Sequence, residues 1–306
     1  RLVGSEMCIR DSYGSGAMGG VMNVSLLNPT QTSLSVSASS MGNAREVSLK
    51  TPINASTSLL GSIREASNGK TGDGTPLNTS FEQSTFYVRN KSYVNDTEVS
   101  TEVLVSDGND IGKSSALFPN TRVTHYPHDN HRLLNFRATT PNNWFFQTYA
   151  HQQDWASMTL RDSGLENTSD YSSMTIGGLL SRTSQSEQST QRYGLDVTRR
   201  YGVDITETTA EPEAEIASRN VINDGTEWTA GLFWERSWYL NGLSLQGGFR
   251  ADRAEAQVAS IATRHSNINL QLKANWQLTS VWDLTIELGS AYRLPTLSEL
   301  YFEGET

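Results

Sequence analysis

Asn267-Ile268-Asn269-Leu270-Gln271-Leu272-Lys273-Ala274-Asn275-Trp276-Gln277-Leu278 decides the fold. Every even-numbered residue here is apolar, and every odd-numbered one is an amide or a lysine. A strand sends alternate side chains to opposite faces, so this stretch has one apolar face and one polar face. Leu243, Leu245, Gly247, Phe249 and Ala251 interleave in the same way with Ser244, Gln246, Gly248, Arg250 and Asp252. Trp282, Leu284, Ile286 and Leu288 interleave with Asp283, Thr285, Glu287 and Gly289. A soluble β-sandwich also alternates, with its apolar side inward. Its strands, however, usually run about 5–6 residues. The runs here approach or exceed the roughly 9–11 residues that a tilted transmembrane strand needs. Trp228, Trp234 and Trp238 share a parity, and Trp276, Trp282 and Tyr292 fall near strand ends. That placement suits the aromatic girdles of bacterial barrels. The pattern predicts an all-β chain, a transmembrane antiparallel β-barrel.

Composition agrees. Of 306 residues, 36% are hydrophobic, and the mean hydropathy is −0.47. No run approaches the ~18 apolar residues of a transmembrane helix. Barrel strands are half polar and give only a weak hydropathy signal, so a membrane location stays open. The net charge of −9 disfavours nucleic acid, which needs basic patches. Glu207, Glu211, Glu213 and Glu215 read most simply as part of a solvated loop. Cys8 is the single cysteine, so there is no disulfide framework to argue from.

Strands are predicted near 31–40, 43–51, 55–64, 80–90, 97–106, 130–139, 143–155, 172–183, 189–201, 226–240, 242–256, 264–278 and 280–293. Short links at Met41-Gly42-Asn43, Pro141-Asn142-Asn143, Asn241-Gly242 and Thr279-Ser280 are expected on one rim. Longer loops at 65–79, 107–129, 156–171, 202–225 and 257–263 are expected on the other. Asn68-Gly69-Lys70-Thr71-Gly72-Asp73-Gly74-Thr75 has the composition of an exposed loop. Short turns on one side and long loops on the other are an outer-membrane barrel signature.

Two motifs sharpen this reading. Tyr13-Gly14-Ser15-Gly16-Ala17-Met18-Gly19-Gly20-Val21-Met22-Asn23-Val24 resembles the closing segment of the plug in TonB-dependent outer-membrane receptors. Tyr292-Arg293-Leu294-Pro295-Thr296-Leu297-Ser298-Glu299-Leu300-Tyr301 resembles a box in the barrel of the same family, and the order of the two is the family's. The resemblance covers about 13–306. It implies that 13–29 is the end of a plug and that 30–306 is the first part of a barrel, roughly thirteen of about 22 strands. Residues 1–12 resemble a translated sequencing-library adapter and are set apart from the fold. The resemblance further implies a bacterial outer-membrane location and active uptake of a scarce nutrient, with a ferric siderophore expected first. Cobalamin, haem, zinc and saccharides are the alternative ligands. A passive substrate-specific porin and an adhesin or phage-receptor barrel are the alternative functions, although a porin would begin on a strand rather than on plug sequence. The implied partners are the TonB energy-transducing complex, the small ligand and outer-membrane lipid. No cofactor is implied, and no enzyme, because no nucleophile elbow occurs.

Candidate site residues follow. Tyr13, Gly14, Gly16, Gly19 and Gly20 form the plug tail that the resemblance implies. They lack the Gly-Lys-Ser/Thr ending of a phosphate loop. Arg293, Pro295 and Glu299 are the candidate ligand-loop residues, with a structural strand-to-loop turn as the simpler reading. Haem receptors carry a related aromatic-Arg-Ala-Pro box, and Leu294 stands here where that box has alanine. His125, His128 and His131 sit with Asp129 in His-Tyr-Pro-His-Asp-Asn-His. Imidazole and carboxylate suit a transition metal, but Pro127 rules out a helix that would align the spacing of three. A polar loop leading into the next strand is the plainer alternative. His151 and His265 carry no assignment.

Overall fold

The computed structural model describes residues 29–115, 121–212, 216–290 and 292–301. Among them, thirteen strands form one antiparallel sheet in sequence order. They are β1 (Ser33–Ala38), β2 (Arg45–Pro52), β3 (Thr57–Ala66), β4 (Phe81–Val94), β5 (Thr97–Lys113), β6 (Arg122–Thr139) and β7 (Trp144–Arg161). The meander continues as β8 (Glu166–Gln185), β9 (Ser189–Ala210), β10 (Ala217–Leu240), β11 (Leu243–Val258), β12 (Ile261–Gln277) and β13 (Asp283–Gly289). A short helix, α1 (Leu297–Tyr301), follows. Each predicted strand has one counterpart, in order. The sheet is open: β1 and β13 each have a single neighbour.

The two faces are inverted relative to a water-soluble protein. On β12, Ile268, Leu270 and Leu272 are 68%, 62% and 53% exposed, whereas Asn269 and Gln271 are 3% and 9% exposed. The register carries this rule sideways. Leu270 pairs with Phe249 and Ile268 with Ala251, while Asn269 pairs with Arg250. Leu232 pairs with Leu195, and Phe146 with Leu180. Burial of polar side chains means that the sheet curls toward its polar side, the inner face. Its apolar side is the outer face, and a continuous exposed apolar surface of this extent marks contact with something non-aqueous.

Aromatics frame the outer face at the short-turn rim. Trp144, Tyr193, Trp234 and Phe249 lie along one lateral row of the register, with Arg182 between the first two. The Arg182 guanidinium lies 5.5 Å from the Trp144 ring centre, and that of Arg236 lies 5.0 Å from Trp238. Amphipathic rings and snorkelling cations suit an interface between hydrocarbon and water. The turns on this rim are tight. Asn95 and Asp96 both take positive φ, 48° and 61°, which a two-residue hairpin of right-handed twist requires.

Three expectations need correction. The stretches 107–129, 156–171 and 202–225 are mostly strand rather than loop. The links between strands there shrink to 114–121, 162–165 and 211–216, and Glu207 lies on β9, 3.3 Å from Arg219. Beyond the apolar zone the outer face turns polar, so the apolar-out alternation is lost although the backbone ladder continues. β9 and β10 reach 22 and 24 residues, about twice the length that crosses a bilayer. Glu213 and Glu215 lie outside the described residues. The link 257–263 reduces to two residues between β11 and β12. Met41-Gly42-Asn43 was expected on the short-turn rim, yet it lies against the long link after β3, where the Ser67 amide donates to the Gly42 carbonyl at 2.6 Å. Antiparallel strands alternate ends, so the link before β2 and the link after β3 must share a rim.

The faces can be told apart energetically. In a barrel that contains this sheet, Leu270→Arg should lower stability by about 2–4 kcal/mol in denaturant titrations in lipid. Asn275→Ser, on the inner face, should change it by about 0.5 kcal/mol or less.

Candidate functional site

The inner face is lined by charges that answer one another across strands. Glu102 on β5 lies 3.5 Å from both Arg89 and Arg137. Arg192 faces Glu235, Arg200 faces Glu227, and Lys273 faces Glu287, each pair at 3.9 Å. The tightest group spans β9 to β11. The Arg250 guanidinium is 2% exposed and forks onto Asp196, Nη1 donating to Oδ2 at 2.8 Å and Nη2 to Oδ1 at 2.9 Å. Its Nε donates to Asp252 at 2.8 Å. Gly231 lies between these acids, paired with Asp196 on one side and Asp252 on the other. A Cβ there would fall inside the Arg250 guanidinium, so glycine is required by space. Two carboxylates around one guanidinium fulfil the pairing that a buried charge needs.

At the long-link rim the chain folds back inward. Thr296 and Glu299 form a capping box for α1. The Glu299 amide donates to Thr296 Oγ1 at 3.3 Å, and the Thr296 amide donates to Glu299 Oε2 at 2.9 Å. Arg293 completes the turn with a bidentate pair, Nη1 to Oε2 at 2.6 Å and Nη2 to Oε1 at 2.7 Å. Pro295 immediately precedes the cap. The helix then buries Leu297 against Val203, Ile222 and Ala256, with Leu300 and Tyr301 alongside. Tyr301 donates to the Ala256 carbonyl at 2.9 Å. The box therefore holds a short helix over the inner face, on the rim that 202–225 occupies. The Arg293 guanidinium beside Glu299, helped by the Thr296 amide, holds the Glu299 carboxyl down at about 2.

The histidines are arranged differently from the sequence expectation. All three lie on β6, not in a loop. In a strand a spacing of three sends side chains to opposite faces. His128 points outward to Asp154, Nε2 to Oδ1 at 3.0 Å. A register irregularity between His125 and Asp129 separates His125 from both. His131 faces inward and meets His151 of β7, Nδ1 to Nε2 at 3.0 Å, while its Nε2 lies 3.0 Å from Asp129 Oδ1. Among the described residues, no three His, Cys, Asp or Glu groups gather as a metal cage. Tyr13, Gly14, Gly16, Gly19 and Gly20, with the whole of 1–12, lie outside the described residues.

The role of His151, the Arg250 cluster and an inner aromatic chain had no signal in the sequence. Trp155 lies 6.1 Å from Tyr126 and 5.6 Å from Tyr171, and Tyr171 packs on the Leu297 core. These groups are far apart in sequence and meet only through the register.

Comparison with known proteins gives the chain its relatives. A family described as TonB dependent receptor-like, beta-barrel matches residues 60–305. No curated protein matches the chain. Among solved structures, the copper transporter OprC is 17% identical with a TM-score of 0.72, covering 88% of this chain and 46% of that one. The Serratia marcescens hemophore receptor HasR, solved with its hemophore HasA and heme, is 14% identical with a TM-score of 0.62, covering 89% and 47%. The ferric citrate transporter FecA, unliganded, is 13% identical with a TM-score of 0.62, covering 95% and 48%. The chain thus spans about half the length of the structures it matches.

The rim turn gives a pH signature. Because the Glu299 carboxyl is held below its ordinary value, the pair's support for α1 is complete above a pH of about 4.5 and is lost as pH falls through about 2. Hydrogen-exchange protection of 297–301 should therefore hold from pH 7 to about 5 and collapse toward pH 2. Glu299→Gln should show weakened protection throughout. Equal protection in the variant at pH 7 would contradict this role.

Proposed function

The chain belongs to the TonB-dependent receptor family, and we propose that it forms the end of the plug and the first part of the barrel of an active nutrient receptor in a bacterial outer membrane. In this reading 13–29 closes the plug and 30–306 is barrel wall, while 1–12 are adapter-derived and foreign to the fold. The outer face meets lipid. The inner face meets water, the plug and the passing ligand. The observation that carries the reading is the inverted wall, with exposed leucines outside and paired charges inside. A passive porin would share that wall, but the family match and the plug-like glycines favour an energised receptor.

The expected cargo is a ferric siderophore. FecA is a transporter of ferric citrate, OprC of copper, and HasR was solved with heme, so the relatives' cargoes are metal species. Haem, cobalamin, zinc and saccharides are the competing ligand classes. Ligand would enter at the long-link rim, where Arg293, Pro295 and Glu299 fix the inward fold of α1. The TonB complex would then draw on the energised inner membrane to remodel the plug, and the ligand would pass along the inner face. The chain's part in this is structural and electrostatic: it supplies a rigid paired wall and a rim segment, and no bond-making chemistry.

Uptake decides between receptor and channel. Cells carrying the completed gene should accumulate radiolabelled ferric hydroxamate or ferric catecholate siderophore only when TonB is present and the inner membrane is energised. Equal uptake without TonB would establish a passive channel instead.

A further inference from the structure

We propose that Arg199, Arg253 and Arg264, gathered around Trp228 on the outer face, form a docking site for a membrane lipid whose headgroup carries a phosphomonoester. The register brings them together. Arg199 on β9, Trp228 on β10, Glu255 on β11 and Arg264 on β12 lie along one lateral row. Arg253 stands one alternation step nearer the apolar zone, opposite Ala230 and Ser266. Side chains directly opposite have Cβ atoms about 4.5–5.5 Å apart, and diagonal neighbours stand about 7–8 Å apart. Arg199 is directly opposite Trp228, and Arg253 is diagonal to both Trp228 and Arg264. Long cationic stems span such gaps along an apolar surface. All three arginines are exposed. Glu255 holds Arg264 at 2.7 Å, and its charge also reaches Arg253. Arg199 lies 5.8 Å from the Tyr201 ring centre. Among the described residues, no carboxylate lies within ion-pair distance of Arg199 or Arg253. Three guanidiniums thus face one carboxylate, whereas Arg250 on the inner face has two carboxylates to itself.

Depth favours a lipid as the source of the missing negative charge. Leu195, Leu232 and Ile268 lie four positions along their strands from Arg199, Trp228 and Arg264, and all three leucine and isoleucine side chains are exposed. The arginines therefore border the apolar zone. Trp228 and Trp238 share the outer face of β10 and stand ten residues apart, about 33 Å of strand. At a tilt of about 40° that is roughly 25 Å of height, the height of a barrel's apolar band. Trp238 belongs to the short-turn rim, so Trp228 marks the opposite interface, the level of lipid headgroups. Arginine forks match phosphate oxygens two at a time. A phosphomonoester offers three such oxygens and close to two negative charges, which answers the two positive charges left over here. The inference rests on reading the outer face as lipid-facing, and it requires neither TonB nor a siderophore.

The test uses a barrel that contains this sheet, in phosphatidylcholine vesicles. Ala230→Cys, labelled with bimane, places a fluorophore beside Arg253 on the outer face. Quenching is compared for phosphatidic acid and phosphatidylcholine carrying the same nitroxide near the headgroup, each at low mole fraction. Phosphatidic acid should quench more strongly, and its local enrichment should fall about fivefold for each arginine removed in R199Q and R253Q. Arg253→Lys should keep most of the enrichment. Equal quenching by the two lipids in the otherwise unaltered protein, which is read without touching an arginine, would overturn the inference. So would an enrichment that survives in R199Q/R253Q. Quenching by phosphatidylcholine without a preference for phosphatidic acid would sink this site alone, whereas no quenching by either lipid would sink the lipid-facing reading with it.

Discussion

A chain that crosses hydrocarbon as strands must pair every backbone N–H and C=O with a neighbouring strand, because no water is there to replace a missing partner. The ladder that joins β1 to β13 in sequence order is that constraint made visible, and its register irregularities fall toward the long-link rim. The rest of the structure depends on it. The ladder fixes the register, and the register decides which side chains share a face. The period of two then turns a sequence of alternating residues into a wall with a lipid side and a wet side. Where the wet side becomes crowded, the charges must find partners within the wall. Arg250, Asp196 and Asp252 do so across three strands, around a glycine that leaves room for them.

The strands were legible in the sequence wherever one face meets lipid and the other meets water. Leu270 and Gln271 differ so much in character that parity alone assigns them, and the structure agrees. Legibility failed where that contrast vanishes. The outer parts of β9 and β10 lose the apolar outer face, and their apolar residues Val203, Ile205 and Ile222 lie instead under α1, so composition suggested loop while the hydrogen-bond ladder ran on. The rim of Met41-Gly42-Asn43 was misjudged for a related reason. Turn length was taken as the guide to which rim a link occupies, whereas the up-and-down order of the strands decides it.

The candidate site was legible only in part. The capping box of Thr296 and Glu299 is a local pattern and can be read from four consecutive residues. Its partner Arg293 is only six residues from Glu299. By contrast, His131 and His151 are twenty residues apart, and Asp196 and Arg250 are fifty-four apart. Such meetings are products of register, which a single sequence does not reveal. The sequence proximity of His125, His128 and His131 was misleading because a strand divides residues three apart between two faces. Within this sheet the consequence is a division of labour: local motifs shape the rim, while long-range pairs tie the strands of the wall together.

The central claim is that one face of this sheet lies in lipid and the other in an aqueous interior. Spin labels placed one at a time along 267–278 of a barrel that contains this sheet, in bilayers, test it most directly. Collision with dissolved oxygen should peak at the even-numbered positions, Ile268 through Trp276, and collision with a water-soluble nickel chelate should be higher at the odd-numbered ones. Equal accessibility along the stretch, or oxygen peaks at Asn269, Gln271 and Asn275, would contradict the account.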